Sequence, residues 1–387
     1  MPFSVAGRTE QTDRGPSKTV GYSMGPDLSH VTAFTEHIGS GQSRPRSFYA
    51  LDPPGEHYYL FRPTQAAFET VARMIAGEGL KRRLGGITLR ACGVAPMFAR
   101  LVPLISTRTV DIAFAFDVAV LSNRTRLVDL DERVVYTLSP DAQPKVVSEI
   151  EARTALPSEI STPELYEYDV DYPYFSEQFV DGWHPNSPVA GWDQLHQALD
   201  QLTYLYRADQ ERVEVTSLLQ EIRTALDERG LRDEQPFCRA LDHLEELRLP
   251  DAVYRSTIHG DFHTRNVLVE DDEVYIVDWE SCGPGYVFCD FFRPFCVTHY
   301  DTRDPTTVVQ LSTGEGRGGE IVREYISSSG KYALPDPDLY SGLPVLYLLL
   351  ELSRTRRSPL WASYRELLND TLDGLDLESQ SPSRTSR

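Results

Sequence analysis

The chain has 387 residues, 41% of them hydrophobic, and carries 58 acidic against 38 basic side chains, a formal charge of −20. That length and apolar content suit one large two-lobed globule and exclude a largely unstructured chain. The negative excess repels phosphate backbones and leaves no long basic stripe, which excludes nucleic acid as a partner.

Only Lys18, Lys81, Lys145 and Lys331 supply ammonium groups, and arginine provides every other positive charge. An acidic, lysine-poor surface of this kind is expected of a halophilic protein, because it stays hydrated and self-repelling where salt screens charge. The competing reading is an acidic surface that attracts a cationic substrate. Cys92, Cys238, Cys282, Cys289 and Cys296 form no Cys-x-x-Cys pair, so they are expected as small buried hydrophobes in a reducing cytosol. The amino terminus has no apolar core, and the longest apolar run, LPVLYLLLEL at 343–352, is too short to span a membrane. A cytoplasmic protein without a membrane partner is the expectation, with LPVLYLLLEL as core.

Residues 1–45 are rich in Gly, Ser, Thr, Pro and charge, the composition of a disordered lead. From 46 to 105 the helical spacing in TQAAFETVARMIAGEGLKRRL follows a short strand-like piece, HYYLFR, and predicts an appended helical segment. Between 108 and 138, VDIAFAFDVAVLS, TRLVDLDE and RVVYTL predict three antiparallel strands turned at Ser122-Asn123 and Asp131-Glu132. PKVVSEIEARTAL starts on Pro144 and stops before Pro157, as a helix does, and YPYFSEQFVDG reads as a strand ending at Gly182. Residues 192–249 are helical in pattern, with Gly230 as a carboxy-terminal cap. Two strands, NVLVE and EVYIVDW, are joined through Asp271 and Asp272. A mostly helical end and a solvated tail from 379 to 387 complete the chain.

The chemistry is carried by HGDFHTRN at 259–266 and by VDWESCGPG, which begins at Val277. A short loop holding Asp261 and Asn266, with a hairpin returning Asp278 beside them, brings three oxygen-bearing side chains together. Mg²⁺ takes hard oxygen ligands and few of them from protein, because nucleotide phosphates and water complete its octahedron, so Asn266 and Asp278 suit that role. Asp261 is then left as the base that orients a substrate hydroxyl toward a γ-phosphorus. His259 is expected to tie the loop backbone together, while His263 either touches the γ-phosphate or is simply exposed. His-x-Asp-x-His could also be read as zinc ligands, but no further histidine or cysteine cluster completes such a set.

The segment from His259 to Asp290 resembles the aminoglycoside phosphotransferase/choline kinase family, relatives of the protein kinases, and the resemblance extends loosely over 108–375. It implies a two-lobed α+β kinase-like fold with a small antiparallel sheet in residues 106–181, a hinge at 177–182 and a helical lobe over 182–378. It implies that Glu149 is the helix glutamate of the nucleotide site, that Glu177 and Phe179 lie on the hinge that holds adenine, and that Asp290 pins the catalytic loop. The activity implied is ATP- and Mg²⁺-dependent phosphorylation of a hydroxyl on a small molecule such as a sugar, amino alcohol or aminoglycoside-like compound. Glu280 is a candidate acceptor contact. One departure stands out: the third strand carries Thr137 where the family has a phosphate-binding lysine, leaving Lys145, Arg126 or Arg133 to reach in. A kinase fold that binds nucleotide or a partner without catalysis is the alternative. Oligomeric state is not legible.

Overall fold

The computed structural model describes residues 28–38, 44–51, 58–62, 64–75, 105–112, 116–121, 124–139, 144–207, 209–328, 337–354 and 359–379. Cys92, the Ser122-Asn123 turn, residues 1–27 and residues 380–387 lie outside them.

The amino-terminal half runs α1 (Ser29–Ile38), β1 (Arg44–Leu51), β2 (Tyr58–Phe61), α2 (Gln65–Ile75), β3 (Ile105–Ile112), β4 (Val118–Leu121), β5 (Thr125–Asp129), β6 (Val134–Leu138), α3 (Pro144–Thr154), β7 (Leu165–Asp169) and β8 (Tyr174–Gln178). All eight strands form one antiparallel sheet in the order β3-β1-β2-β4-β5-β6-β8-β7. Side chains alternate across it, as the two-residue period of a strand requires. Leu121, Leu127, Leu138 and Tyr174 face Val31 and Phe34 of α1. Val118, Val128 and Val135 face Phe68 and Val71 of α2, and farther along that face Phe175 packs on Val146 and Ile150 of α3.

Two expectations are corrected here. The lead read as disordered contains α1, whose Val31, Phe34 and Thr35 are fully buried; burying the phenylalanine ring contributes about 2 kcal/mol toward offsetting the cost of ordering that helix. The segment read as an appended helical piece contributes β1 and β2 to the sheet itself and only then a helix, α2. The strand-like HYYLFR is β2, and its unanticipated partner β1 buries Phe48 and Ala50 on alternate positions.

The chain leaves the sheet through residues 179–184. Phe179 N–H donates to the Arg133 carbonyl at 2.8 Å, and Trp183 pairs in both directions with Val269 at 3.0 and 2.9 Å. A Cβ on Gly182 would lie 2.8 Å from the Val269 carbonyl oxygen, so only glycine lets the two backbones approach this closely.

The second half contains α4 (Trp192–Tyr206), β9 (Glu211–Glu214), α5 (Val215–Glu228), α6 (Phe237–Glu246), β10 (Ala252–Ile258), β11 (Val267–Glu270), β12 (Glu273–Ile276), β13 (Gly283–Tyr286), α7 (Val287–Thr302), α8 (Thr306–Thr313), α9 (Gly316–Ser328), α10 (Leu343–Arg354) and α11 (Pro359–Ser379). Gly230 ends α5 at φ +65°, with its N–H on the Asp227 carbonyl and Leu231 N–H on that of Leu226, the paired bonds of a Schellman cap. The β11–β12 hairpin turns on Asp271 and Asp272, both at positive φ, as a two-residue loop demands. LPVLYLLLEL forms most of α10 and is buried on nearly every side, the signature of a core helix. Among the described residues no helix is long and apolar enough to cross a membrane.

Candidate active site

The loop 259–266 leaves β10 and is held from beneath by α7. Asp290, in the first turn of α7 and fully buried, accepts from His259 N–H at 2.9 Å, Gly260 N–H at 3.1 Å and the Tyr206 hydroxyl at 3.1 Å. Burial holds its carboxyl above the usual range even with those donors. Gly260 sits at φ +80°, and a Cβ there would lie 2.3 Å from the Ser281 carbonyl oxygen, so the tight turn before the aspartate depends on glycine. His259 is fully buried beside the Trp279 ring. Its Nε2 donates to the Val277 carbonyl at 3.1 Å and its Nδ1 accepts from Asp261 N–H at 3.3 Å. Burial also pushes the imidazole pKa down, so a neutral ring links the loop to the returning hairpin.

Asp261, Asn266 and Asp278 are brought together through Asn266. The Asn266 Nδ2 donates to the Asp261 carbonyl at 2.8 Å, while its own carbonyl accepts from Val277 N–H at 3.0 Å. With Nδ2 engaged, the atom that remains for a hard cation is Oδ1. Asp278 follows directly, in the left-handed region at φ 67° and ψ 61°, a conformation that aspartate tolerates better than most residues. Its carboxylate and the Asn266 amide oxygen are the donor chemistry Mg²⁺ takes.

Asp261 has a companion that the sequence did not announce. Arg293 of α7 grips its Oδ1 with Nε at 2.9 Å and Nη2 at 2.6 Å and reaches Glu351 of α10 at 3.2 Å. His263 stands beside the same carboxylate, with Nε2 3.8 Å from Oδ2, rather than being exposed. Burial pushes the Asp261 carboxyl up, but the nearby His263 ring and the Arg293 guanidinium outweigh it and hold the group well below the usual carboxylate range.

On the sheet side, Glu149 of α3 is buried and its Oε2 lies 2.7 Å from Nη1 of Arg124, the residue before β5. The same Nη1 lies 3.2 Å from Asp278 Oδ1, and Nη2 contacts Glu280. Lys145, in the first turn of α3, holds the other oxygen of Glu280 at 2.7 Å. Burial pushes the Glu149 carboxyl up to about 7, against the pull of Arg124.

The sequence profile of the phosphotransferase enzyme family matches residues 118–325, more than half of the 387 in the chain. The chain belongs to this phosphotransferase family. The resemblance carried by His259–Asp290 is thereby upheld, as is the kinase-like α+β architecture. No curated protein sequence matches the chain significantly. Among solved structures it is similar to a choline/ethanolamine kinase family protein from Mesorhizobium loti, at 14% identity over 67% of this chain and 85% of that one with a TM-score of 0.37. It is similar also to a thermostable mutant of the aminoglycoside phosphotransferase APH(4)-Ia in ternary complex with AMP-PNP and hygromycin B (13%, 68% and 90%, TM-score 0.40). A third is the choline kinase LicA from Streptococcus pneumoniae (11%, 66% and 90%, TM-score 0.40).

In this phosphotransferase the other sequence-derived candidates are less central. Thr137 is fully buried in β6, paired with Arg126 and Phe175 on the neighbouring strands, and offers no surface to a ligand. The Glu177 carboxylate is occupied by Arg153 at 2.5 Å, and both backbone groups of Phe179 are engaged by Arg133. Glu280, read as an acceptor contact, instead binds the cations of the sheet side of the cleft. Of the cations considered for the missing lysine, Arg133 is turned away to Glu270 and Lys145 to Glu280. Arg124, which was not considered, is the one on Glu149. It directly follows Asn123 in the sequence and lies outside any periodic run, which gave no cue. Arg293 did leave one: it lies three positions after Asp290 on the same helix, the spacing that puts two side chains on one face.

Proposed function

We propose that this phosphotransferase moves the γ-phosphoryl group of ATP, with Mg²⁺, to a hydroxyl of a small molecule such as a sugar, amino alcohol or aminoglycoside-like compound. The observation that carries the reading is the double grip of Asn266, which ties together Asp261 and the residue preceding Asp278, with Arg124 and Glu149 of the sheet side standing against that carboxylate. In this reading residues 106–181 supply the nucleotide lobe, extended by β1, β2 and α2, and residues 182–378 supply the catalytic loop.

Asn266 Oδ1 and the Asp278 carboxylate would hold the metal, which would supply neutralisation of charge on the phosphate oxygens. Asp261 accepts a hydrogen bond from the acceptor hydroxyl. With its affinity for protons so low, it is a poor base toward a free alcohol; its work is to orient the oxygen and take the proton late, as the new O–P bond forms. Arg293 fixes Oδ1, so Oδ2, beside His263, is the oxygen presented to the acceptor. Asp290 and His259 keep the loop in register.

The test is ADP release in MgCl₂ and high KCl across a panel of amino alcohols, sugars and aminoglycosides. At least one acceptor should stimulate release, EDTA should abolish it, and Asp261→Asn should reduce it about 100-fold or more. Nucleotide binding without stimulation by any acceptor would favour the alternative, a kinase fold that binds without turnover.

A further inference from the structure

Strand β6 itself carries Thr137, fully buried, and no cation. The cleft nevertheless contains one: the Arg124 guanidinium meets three carboxylates, with Nη1 2.7 Å from Glu149 and 3.2 Å from Asp278 and with Nη2 on Glu280, while its side chain keeps only 12% of its surface exposed. Two of these carboxylates belong to the hairpin side of the cleft, and Arg124 and Glu149 to the sheet side.

We propose that Arg124 is the cation that holds nucleotide phosphate in this chain, parked on Asp278 and Glu280 until the metal-bound nucleotide displaces it. The inference rests on the kinase reading above and assigns a residue within that site.

Charge decides the direction of the exchange. A divalent ion brings twice the charge of the Arg124 guanidinium to Asp278, so it wins that carboxylate when a nucleotide delivers it. The metal takes hard oxygen, and Asp278 is its ligand, so the ion and Arg124 compete for the same carboxylate. Displaced from Asp278, Arg124 keeps its partner Glu149 and can present its planar fork to phosphate oxygens, a pairing that a guanidinium makes in bidentate form. Lys145 remains on Glu280, so releasing Arg124 leaves no carboxylate bare on that turn. Glu280 is then a positioning residue for two cations and not an acceptor contact. Arg126 is the competing cation: it is exposed and stands opposite Thr137 in the sheet register.

The experiment is calorimetric titration with AMP-PNP and, separately, with adenosine, on the intact chain with and without MgCl₂. Arg124→Ala should weaken Mg²⁺–AMP-PNP about 10- to 100-fold, the loss expected of charge-assisted hydrogen bonds, and leave adenosine affinity unchanged. Arg124→Lys should recover part of the loss, which a merely misfolded site would not, and Arg126→Ala should change little. Glu280→Gln, which removes one parking partner, should strengthen metal-free AMP-PNP binding about threefold or more. Wild-type affinity in Arg124→Ala, or transfer of the loss to Arg126→Ala, overturns the assignment; unchanged metal-free binding in Glu280→Gln overturns the parking. A wild-type chain that binds no AMP-PNP at all contradicts the kinase reading itself, whereas binding that ignores Arg124 contradicts only this assignment.

Discussion

Glu149 is pulled in opposite directions, by burial toward the neutral form and by Arg124 toward the charged one, and burial prevails. A carboxyl raised from its ordinary 4.5 to about 7 contributes stability that is present below the unfolded value and lost as pH rises through the folded one. The difference corresponds to about 3 kcal/mol by neutral pH. Glu149→Gln should therefore resist urea better than the wild type at pH 8, converge with it near pH 4.5, and lose nucleotide turnover; equal stability at pH 8 would contradict the account of the buried pair. Asp261 has the opposite sign, its stabilisation being present above 3.8 and lost only in strong acid, so an acid limb in turnover near neutrality should follow Glu149 rather than the base. At this scale the motif residues were legible because HGDFHTRN and VDWE fix their own neighbours through the loop. Arg124 was not, because its partner is 25 positions away in sequence and no local pattern encodes such a contact, and Arg293, 32 positions from Asp261, left only its spacing from Asp290.

Helix α7 meets the loop at two points, through Asp290 on its backbone and through Arg293 on Asp261. Removing the Asp290 carboxylate would leave three donors without acceptors, two of them fully buried, and each buried orphan costs about 1–3 kcal/mol. Asp290→Ala should lower the free energy of unfolding by about 2–4 kcal/mol and speed amide exchange at His259 and Gly260; a loss of less than about 0.5 kcal/mol would show that the helix does not hold the loop. The exposed Arg73–Asp181 pair between α2 and the segment after β8 is of another kind, with both partners about two-fifths exposed, and contributes under about 1 kcal/mol. Elements were readable where periodicity and turn chemistry coincide: α3 between two prolines, the Asp271-Asp272 hairpin, and α5 ending on Gly230. β7 was unreadable for a physical reason, since this edge strand exposes its three central residues and so has no buried face to imprint a pattern. α1 was hidden because its few buried positions sit within a Gly- and Ser-rich lead whose composition argues for disorder.

The whole molecule combines a formal charge of −20 with ion pairs made almost entirely by arginine. Self-repulsion of that size is relieved by screening, so the unfolding midpoint should rise between 0.1 and 2 M KCl; a midpoint that falls would mean that the surface pairs outweigh the repulsion. The central claim concerns a division of labour across the cleft, with Asp261 aiming the acceptor and Asp278 holding the metal–nucleotide complex. The most direct measurement is steady-state turnover together with Mg²⁺–nucleotide affinity in Asp261→Asn and Asp278→Ala. The account predicts near-normal nucleotide affinity with turnover lowered about 100-fold or more in the first, and weakened metal-dependent nucleotide binding in the second. Equal, near-wild-type turnover in both variants would contradict it.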